Sequence, residues 1–227
     1  METPIKDESN RRPLAVRERK ITKKIAIWLS HKNVTPNQIS LLSIVFAVIG
    51  FALLLSYSIN PTPLLLLLAA LSIQLRLLCN LFDGMVAVEG GKKTPAGELF
   101  NDVPDRIADP LFIVAAGFTT QSALGLDLAW GCAILAVLTA YIRVLGVSMG
   151  GAANFCGPMA KQHRMALLTL SLVILSIAAW FDWPIPLLKF SMDFALTIML
   201  LGLLLTVWLR LKYIYSHHQN HDEAPHV

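Results

Sequence analysis

The sequence predicts an all-α integral membrane protein with six transmembrane helices, preceded by an amphipathic interfacial helix. Two observations support this class. Hydrophobic residues make up 55% of the 227 residues and the mean hydropathy is +0.59, which is too apolar for an ordinary soluble domain. The apolar residues also gather in six runs, each near the roughly 20 residues that a helix needs to cross a bilayer. These runs lie at about 38–58, 62–88, 98–120, 124–148, 163–182 and 186–209.

The distribution of basic residues predicts how the six spans are oriented. Lysine and arginine close to span ends tend to stay in the cytoplasm. Many of them precede the first span, and they then occur at every second connection between spans. Lys92 and Lys93 follow the second span, Arg143, Lys161 and Arg164 flank the connection after the fourth span, and Arg210 and Lys212 follow the sixth. The polar start of the chain has no apolar core of the kind that a cleavable signal peptide carries. We therefore expect a multi-pass protein of the bacterial inner membrane, with both termini and the active site in the cytoplasm, and lipids rather than nucleic acid as partners.

Three segments follow from this pattern: a cytoplasmic leader over 1–34, a membrane domain over 35–212 and a disordered cytoplasmic tail over 213–227. Within the leader, residues 13–30 separate apolar side chains from basic ones, as in a helix lying on an anionic membrane surface. A basic leader that only orients the first span is the alternative interpretation. Thr35 is a plausible N-cap of that span, with Pro36 at its first helical position.

Carboxylates and glycines are concentrated where the second apolar run ends and the third begins. This stretch, CNLFDGMVAVEGGKKTPAGELFNDVPDRIAD, spans residues 79–109. On a helical second span, Asn80 and Asp83 share a face, because residues three and four apart are neighbours. The third span offers Asn101, Asp105 and Asp109 at four-residue steps, with Asp102 about 100° around from Asn101. Two helix ends are therefore predicted to aim oxygen ligands at a common point.

Ionised carboxylates near the membrane interior are costly, so they point to a function by default. Ligands that are all oxygens favour a hard cation such as Mg²⁺, Mn²⁺ or Ca²⁺. The structural alternative is an interfacial salt-bridge cluster in which the acids pair with Arg76, Lys92, Lys93 and Arg106. The glycines of the stretch favour close approach of a phosphate or a second helix over a simple charge cluster: Gly84, Gly90, Gly91 and Gly97.

The spacing of this stretch resembles the signature of the CDP-alcohol phosphatidyltransferase family, D-x2-D-G-x2-A-R-x8-G-x3-D-x3-D. Every spacing matches, through Asn80, Asp83, Gly84, Ala87, Val88, Gly97, Asn101 and Asp105. With the six spans and the amphipathic leader, the resemblance covers about residues 13–212. Three positions differ: Asn80 and Asn101 stand where the family has its first and third aspartates, and Val88 stands where it has arginine.

The resemblance implies an enzyme of membrane phospholipid synthesis that needs Mg²⁺ or Mn²⁺ and forms a homodimer. It would transfer a phospho-alcohol group from a CDP-linked donor, such as CDP-diacylglycerol, to a small alcohol acceptor, with release of CMP. The resemblance makes Asp105 the general base. It places the metal at Asn80, Asp83, Asn101 and Asp105, and the donor nucleotide and phosphates at Gly84, Ala87 and Gly97. From their position in the same stretch, we expect Asp102 to be an additional metal ligand, and Lys92 and Lys93 to contact the donor phosphates.

The three substitutions leave the number of metal ions open. Asparagine still offers a carbonyl oxygen, but two negative charges are lost. The site is therefore expected to hold either one tightly bound ion, or a second ion recruited by Asp102 or Asp109 once pyrophosphate is present. Val88 cannot bind phosphate, so Lys92, Lys93, Arg143, Lys161 or Arg164 would have to supply that charge. We expect Arg143, Lys161 and Arg164 to clamp a phosphate or headgroup, the alternative being charges that only snorkel to the interface.

Two other functions remain compatible with the sequence. The missing arginine and the two asparagines would suit a catalytically silent relative that binds nucleotide-lipid or phospholipid. A small ion or proton transporter could use the same acids, but it predicts acids spread around the bilayer midplane rather than grouped near one face.

Overall fold

The computed structural model describes residues 20–32, 34–92 and 96–222, and within these ranges the chain is helical, without a strand. The helices are α1 (Lys20–His31), α2 (Pro36–Ile59), α3 (Pro63–Glu89), α4 (Gly97–Gly117), α5 (Gly125–Ser148), α6 (Lys161–Trp180) and α7 (Ser191–Asp222). A short 3-10 helix, Pro186–Phe190, precedes α7. The predicted all-α class is confirmed.

Helix α1 has the two-sided character predicted for the leader. Ile21 and Trp28 are exposed, Ala26 is fully buried, and the helix packs against α3. A Cβ atom added to Gly90, at the end of α3, would lie 2.5 Å from Ser30 Oγ, so this close contact requires glycine. The end of α3 therefore fixes α1. Residues 13–19 of the predicted amphipathic segment lie outside the described residues.

The predicted start of the first span is confirmed. Thr35 Oγ1 accepts a hydrogen bond from Gln38 N at 3.3 Å, and Thr35 N donates to Gln38 Oε1 at 3.0 Å. This reciprocal pair is a capping box, and Pro36 occupies the first turn as expected.

Five segments among the described residues are long and apolar enough to cross a membrane: α2, α3, α5, α6 and Pro186–His217, which joins the 3-10 helix to α7. Helix α4 lies where the third of the six predicted spans was placed, but its charged first half keeps it out of this group. Its second half is instead enclosed by protein, whereas Val103 and Ile107 of the first half are exposed. Ala108, Phe112 and Ala116 are fully buried, and α4 packs against both α2 and α5.

Successive helices from α2 onward alternate in direction, which places the carboxylate stretch at one end of the bundle. We call this the site end; α3 and α5 end there, and α4 and α6 begin there. Helix α2 packs closely against α3 and α4, whereas α3 and α4 approach each other less closely, and α6 packs on α3. Long side chains can therefore meet in the space between α3, α4 and α6.

The opposite end of the bundle is closed by small residues and aromatic rings. A Cβ atom at Gly50 of α2 would overlap the ring of Phe112 and the hydroxyl of Ser72, so only glycine allows α2, α3 and α4 to meet there. Phe51 and Phe118 form an edge-to-face pair with ring centroids 6.0 Å apart. Close packing of this kind is a main source of helix association in membranes.

The end of the chain differs from the sequence prediction. Residues 213–227 were expected to be a disordered tail, but α7 continues as a helix to Asp222. The predicted boundary at residue 212 therefore falls inside a helix, and residues 223–227 lie outside the described residues.

Candidate active site

Asp105 of α4 is buried, and side chains from two other helices contact both of its carboxylate oxygens. Arg76 Nη2 of α3 donates to Oδ1 at 2.8 Å, and Asn80 Nδ2 of the same helix also donates to Oδ1. Lys161 Nζ, at the start of α6, donates to Oδ2 at 2.5 Å. Asp105 is therefore the point where α3, α4 and α6 meet.

Asp109 lies one turn further along α4 and extends this arrangement. Arg76 Nη2 also lies 2.6 Å from Asp109 Oδ1, and Arg164 Nη2 donates to Asp109 Oδ2 at 2.6 Å. The result is a row of alternating charges, Lys161, Asp105, Arg76, Asp109 and Arg164, which we call the buried ion chain. Arg76 is fully buried within it, and Arg164 also donates to the carbonyl oxygen of Met159.

Asp83 of α3 is buried in a different environment. Its Oδ2 accepts a hydrogen bond from Ser40 Oγ of α2 at 2.7 Å, and its Oδ1 accepts one from Gly84 N at 2.5 Å. No lysine or arginine within the described ranges forms an ion pair with it. Asp83 is thus a carboxylate that is only 4% exposed and has no lysine or arginine within ion-pair distance in the described part of the chain.

Asp102 lies on a more open side of α4. Arg143 Nη2 is 3.1 Å from its Oδ2, and Arg106 Nη2 is 3.3 Å from the same atom. The guanidinium of Arg143 also stacks on the ring of Phe155, 5.4 Å from its centroid. These side chains are about a quarter to two fifths exposed, so the pairs contribute little to stability but leave Arg143 within reach of a ligand.

A cavity lies beside Asp102, between α5, α7 and the loop that precedes α6. Its enclosed volume is about 10 Å³, about the space that one water molecule needs, and its lining includes Arg143, Asn154, Arg210, Tyr213 and His217. Arg210 is buried, and its Nε and Nη1 donate to the carbonyls of Cys156 at 3.1 Å and Thr139 at 2.5 Å. The cavity therefore adds little binding space to the site.

The remaining predicted residues lie around this centre. Gly84 borders open space, because an added Cβ atom would meet nothing within 4 Å. Asn101 is exposed near the start of α4, Gly97 begins that helix, and Ala87 lies in the last turn of α3, next to the exposed Val88. Lys92 is used elsewhere, since its Nζ donates to the carbonyl of Ser30 at 2.8 Å. Lys93 lies outside the described residues.

The geometry partly matches the salt-bridge alternative. Arg76 and Arg106 do pair with acids, but Lys92 pairs with backbone oxygens, and Asp83 has no cationic partner within the described ranges. Sequence reasoning had named Arg76 only in that alternative and had missed Ser40. The signal for Arg76 was available, because it lies four residues before Asn80 and therefore on the same helix face. Ser40 gave no such signal, since serines are common in apolar helices.

The oxygen donors of this site suit a hard divalent cation only if asparagine takes part. No group of three or more histidine, cysteine, aspartate or glutamate side chains that could hold a metal occurs in the described part of the chain. Asp83, Asp105 and Asn80 offer oxygen atoms of the kind that hard cations prefer, and the exposed Asn101 would have to supply its amide oxygen from the start of α4. The buried carboxylate of Asp83, which lacks a cation, is the observation that fits such an ion best.

Fold and site together define an integral, multi-pass membrane protein in which charged side chains from α3, α4 and α6 meet at one end of the helical bundle. The model of the family described as CDP-alcohol phosphatidyltransferase matches residues 33–208. The chain therefore belongs to the CDP-alcohol phosphatidyltransferase family, and the resemblance seen in the motif is confirmed.

Comparisons with individual proteins agree with this assignment. The chain is 26% identical over 157 residues to the inner membrane protein YnbA of Escherichia coli (strain K12), covering 69% of this chain and 76% of that protein. Its fold is similar to that of the phosphatidylinositol phosphate synthase of Mycobacterium tuberculosis. The structure of that synthase with CDP-DAG bound gives a TM-score of 0.69 at 18% identity, covering 87% of this chain and 95% of the synthase. The structure of its complex with manganese and citrate gives a TM-score of 0.68 at 18% identity, covering 86% and 89%.

Proposed function

We propose that this enzyme transfers a phosphatidyl group from CDP-diacylglycerol to the hydroxyl of a small alcohol and releases CMP. The observation that carries the proposal is the meeting of Asp105 of α4, Asn80 of α3 and Lys161 of α6 at the site end. Family membership supports the reaction class, and the CDP-DAG bound to a protein of similar fold supports the donor.

A divalent ion, Mg²⁺ or Mn²⁺, would be held by Asp83 and Asp105 together with the amide oxygens of Asn80 and Asn101. When bound, it supplies positive charge to the pyrophosphate and to the departing CMP. A protein of similar fold was solved with manganese, which supports this class of cofactor. Asp102, already paired with two arginines, would be at most an outer ligand.

Asp105 would act as the general base. The acceptor oxygen would attack the β-phosphorus of the donor, the bond from that phosphorus to the CMP oxygen would break, and the hydroxyl proton would move to a carboxylate oxygen of Asp105. Arg76 holds Oδ1, whereas Lys161 holds Oδ2 from a partly exposed position. Oδ2 therefore lies on the more accessible side of the carboxylate, and its second lone pair would receive the proton.

The proposed phosphate clamp consists of Lys161 and Arg143, because both side chains are about one quarter exposed at the site end. Arg164 was predicted to share this role, but its side chain is buried and donates to Asp109 and Met159. We infer that Arg164 supports the buried ion chain and does not contact the substrate.

We propose that the site end faces the cytoplasm of a bacterial inner membrane, because lysines and arginines flank the spans mainly at that end. The relative from Escherichia coli, an inner membrane protein, supports this location. We also expect a homodimer, on the basis of the family resemblance alone. Dimer mass in mild detergent would test that expectation.

The test of the reaction is CMP release by the purified protein in lipid or detergent. The assay contains CDP-diacylglycerol, Mg²⁺ or Mn²⁺ and a panel of alcohols, and it is run beside Asp105→Asn and Asp127→Asn. Asp127 is exposed in the first turn of α5, at the opposite end, and serves as the matched control. We expect acceptor-dependent CMP release that Asp105→Asn lacks and Asp127→Asn keeps. Equal activity of all three proteins would remove Asp105 from the mechanism.

One observation favours a second function, a catalytically silent protein that binds the nucleotide-lipid. Both oxygens of Asp105 are engaged by protein groups, and asparagine replaces two of the family's carboxylates. In that case CDP-diacylglycerol would bind to the protein without any CMP release, whichever alcohol is supplied.

A further inference from the structure

We propose that the ammonium of Lys161 takes the place of a second divalent ion at this site. The chain then binds one divalent ion, whereas the four carboxylates of the family pattern would balance two. The inference rests on the proposed function, because it concerns how the same site neutralises a pyrophosphate. It also chooses between the two possibilities that the sequence left open, one ion or two.

The two carboxylates that the pattern retains have different neighbours. Asp105 already has two protein cations on it, Arg76 at 2.8 Å and Lys161 at 2.5 Å. Asp83 has only the neutral donors Ser40 and Gly84. Asp83 has no cation within ion-pair distance among the described residues, and Lys161 acts on it only at longer range, so the one bound ion is assigned to the side of the site that Asp83 lines. A second ion, beside Oδ2 of Asp105, would meet the ammonium of Lys161 directly and be repelled.

The other carboxylates that could recruit another ion are both paired with arginines. Asp102 is paired with Arg106 and Arg143, and Asp109 is paired with Arg76 and Arg164. Neither is a free ligand. A second divalent ion would therefore have to displace an arginine from one of these aspartates. At Asp109 that would break a buried ion pair, which is costly.

Lys161 can supply the positive charge that a second ion would bring to the phosphates of the donor. The buried ion chain contains three cations and two carboxylates, so it has one positive charge in excess, and Lys161 is its member nearest to solvent. An ammonium has three N–H donors and is a compact charge. One donor is used by Asp105, which leaves two for a phosphate oxygen of the donor.

The experiment counts bound ions directly. The full-length protein is purified in detergent, supplied with CDP-diacylglycerol and titrated with Mn²⁺, and free Mn²⁺ is followed by electron paramagnetic resonance. We expect one Mn²⁺ per chain for the unaltered protein and two for Lys161→Met. Lys161→Arg, which keeps the charge, is expected to stay at one, as is Lys212→Met, which removes an exposed lysine of α7.

Two Mn²⁺ ions bound to the unaltered protein would overturn the inference, whatever the variants show. A titration in which no Mn²⁺ binds to the unaltered protein would overturn it as well. A count of one for Lys161→Met would show that Lys161 does not exclude a second ion and would overturn it too. CMP release measured on the same unaltered sample separates this inference from the proposed function. Transfer with two ions bound contradicts only the inference, whereas one ion bound without transfer contradicts only the function.

Discussion

The two ends of the helical bundle treat buried polar groups differently. At the opposite end, Asp193 of α7 accepts hydrogen bonds from Gln121 N and Ser122 N, both at 3.0 Å, and Ser176 donates to the carbonyl of Pro63 at 2.8 Å. There, side chains bind backbone groups and close loops. At the site end, charged side chains bind one another, and Asp83 adds a buried carboxylate that forms no ion pair within the described ranges. One end thus holds the fold together, and the other gathers the charged groups of the candidate active site.

The largest effect is expected from Asp83→Ala. Removing the carboxylate that lacks a cationic partner should lower kcat/KM by on the order of a thousandfold, or about 4 kcal/mol. Membrane insertion should be kept, because the apolar spans are unchanged. CMP release measures the effect, with Asp193→Ala as a buried carboxylate control from the other end. Similar losses in both variants would mean that the two ends do not divide their roles as described.

The next effect concerns stability at the site end. Arg76→Met leaves Asp109 with one cation and Asp105 with Lys161 alone, and breaking a buried pair typically costs about 3–5 kcal/mol. Arg106→Met breaks a partly exposed pair and should cost about 1 kcal/mol or less. Both values can be read from unfolding in detergent micelles titrated with SDS. If Arg76→Met were as stable as Arg106→Met, the buried ion chain would not be holding α3 to α4.

A smaller effect is expected where the helices meet most closely. Gly50→Ala would press a methyl group into Phe112 and Ser72, and overpacking of this kind costs about 1–3 kcal/mol. Gly131→Ala is the control, because its added Cβ would lie 3.4 Å from Leu200 Cδ1, an ordinary contact. The same titration compares them. An unchanged midpoint for Gly50→Ala would show that Phe112 moves aside freely.

The smallest effect is expected at the loop between α4 and α5. Asp193→Ala removes the acceptor of two backbone hydrogen bonds and should cost about 1–2 kcal/mol while leaving CMP release unchanged. Asp127→Ala removes an exposed carboxylate of the same end and should change stability by about 0.5 kcal/mol or less. A loss of activity in Asp193→Ala would mean that this end also contributes to the reaction.

The sequence predicted the helices and the carboxylate stretch well, because both depend on local patterns. Apolar runs marked the spans, Thr35 and Pro36 marked the start of α2, and the spacing of the motif marked the family. It did not predict which cation would contact which acid. Arg76 and Lys161 are 85 residues apart, and only the packing of α6 on α3 brings both to Asp105.

The end of α7 illustrates a different limit of sequence reasoning. Residues after 212 are polar, and their composition predicted disorder, yet the helix continues to Asp222. A helix of 32 residues is about 48 Å long, longer than the roughly 30 Å apolar core of a bilayer. Composition therefore predicted where the apolar run ends but not where the helix ends.

The charges of α4 also bear on how the protein is made. An aspartate near the middle of an inserting helix costs about 2.5–3.5 kcal/mol, and α4 carries Asp102, Asp105 and Asp109. Arg76 is already available when α4 leaves the ribosome, but Lys161 and Arg164 follow the aspartates that they contact, Asp105 and Asp109, by more than fifty residues. We expect α4 to settle fully into the bilayer only after α6 has been synthesised. Nascent chains that end after α5 should therefore expose the start of α4 to the aqueous side.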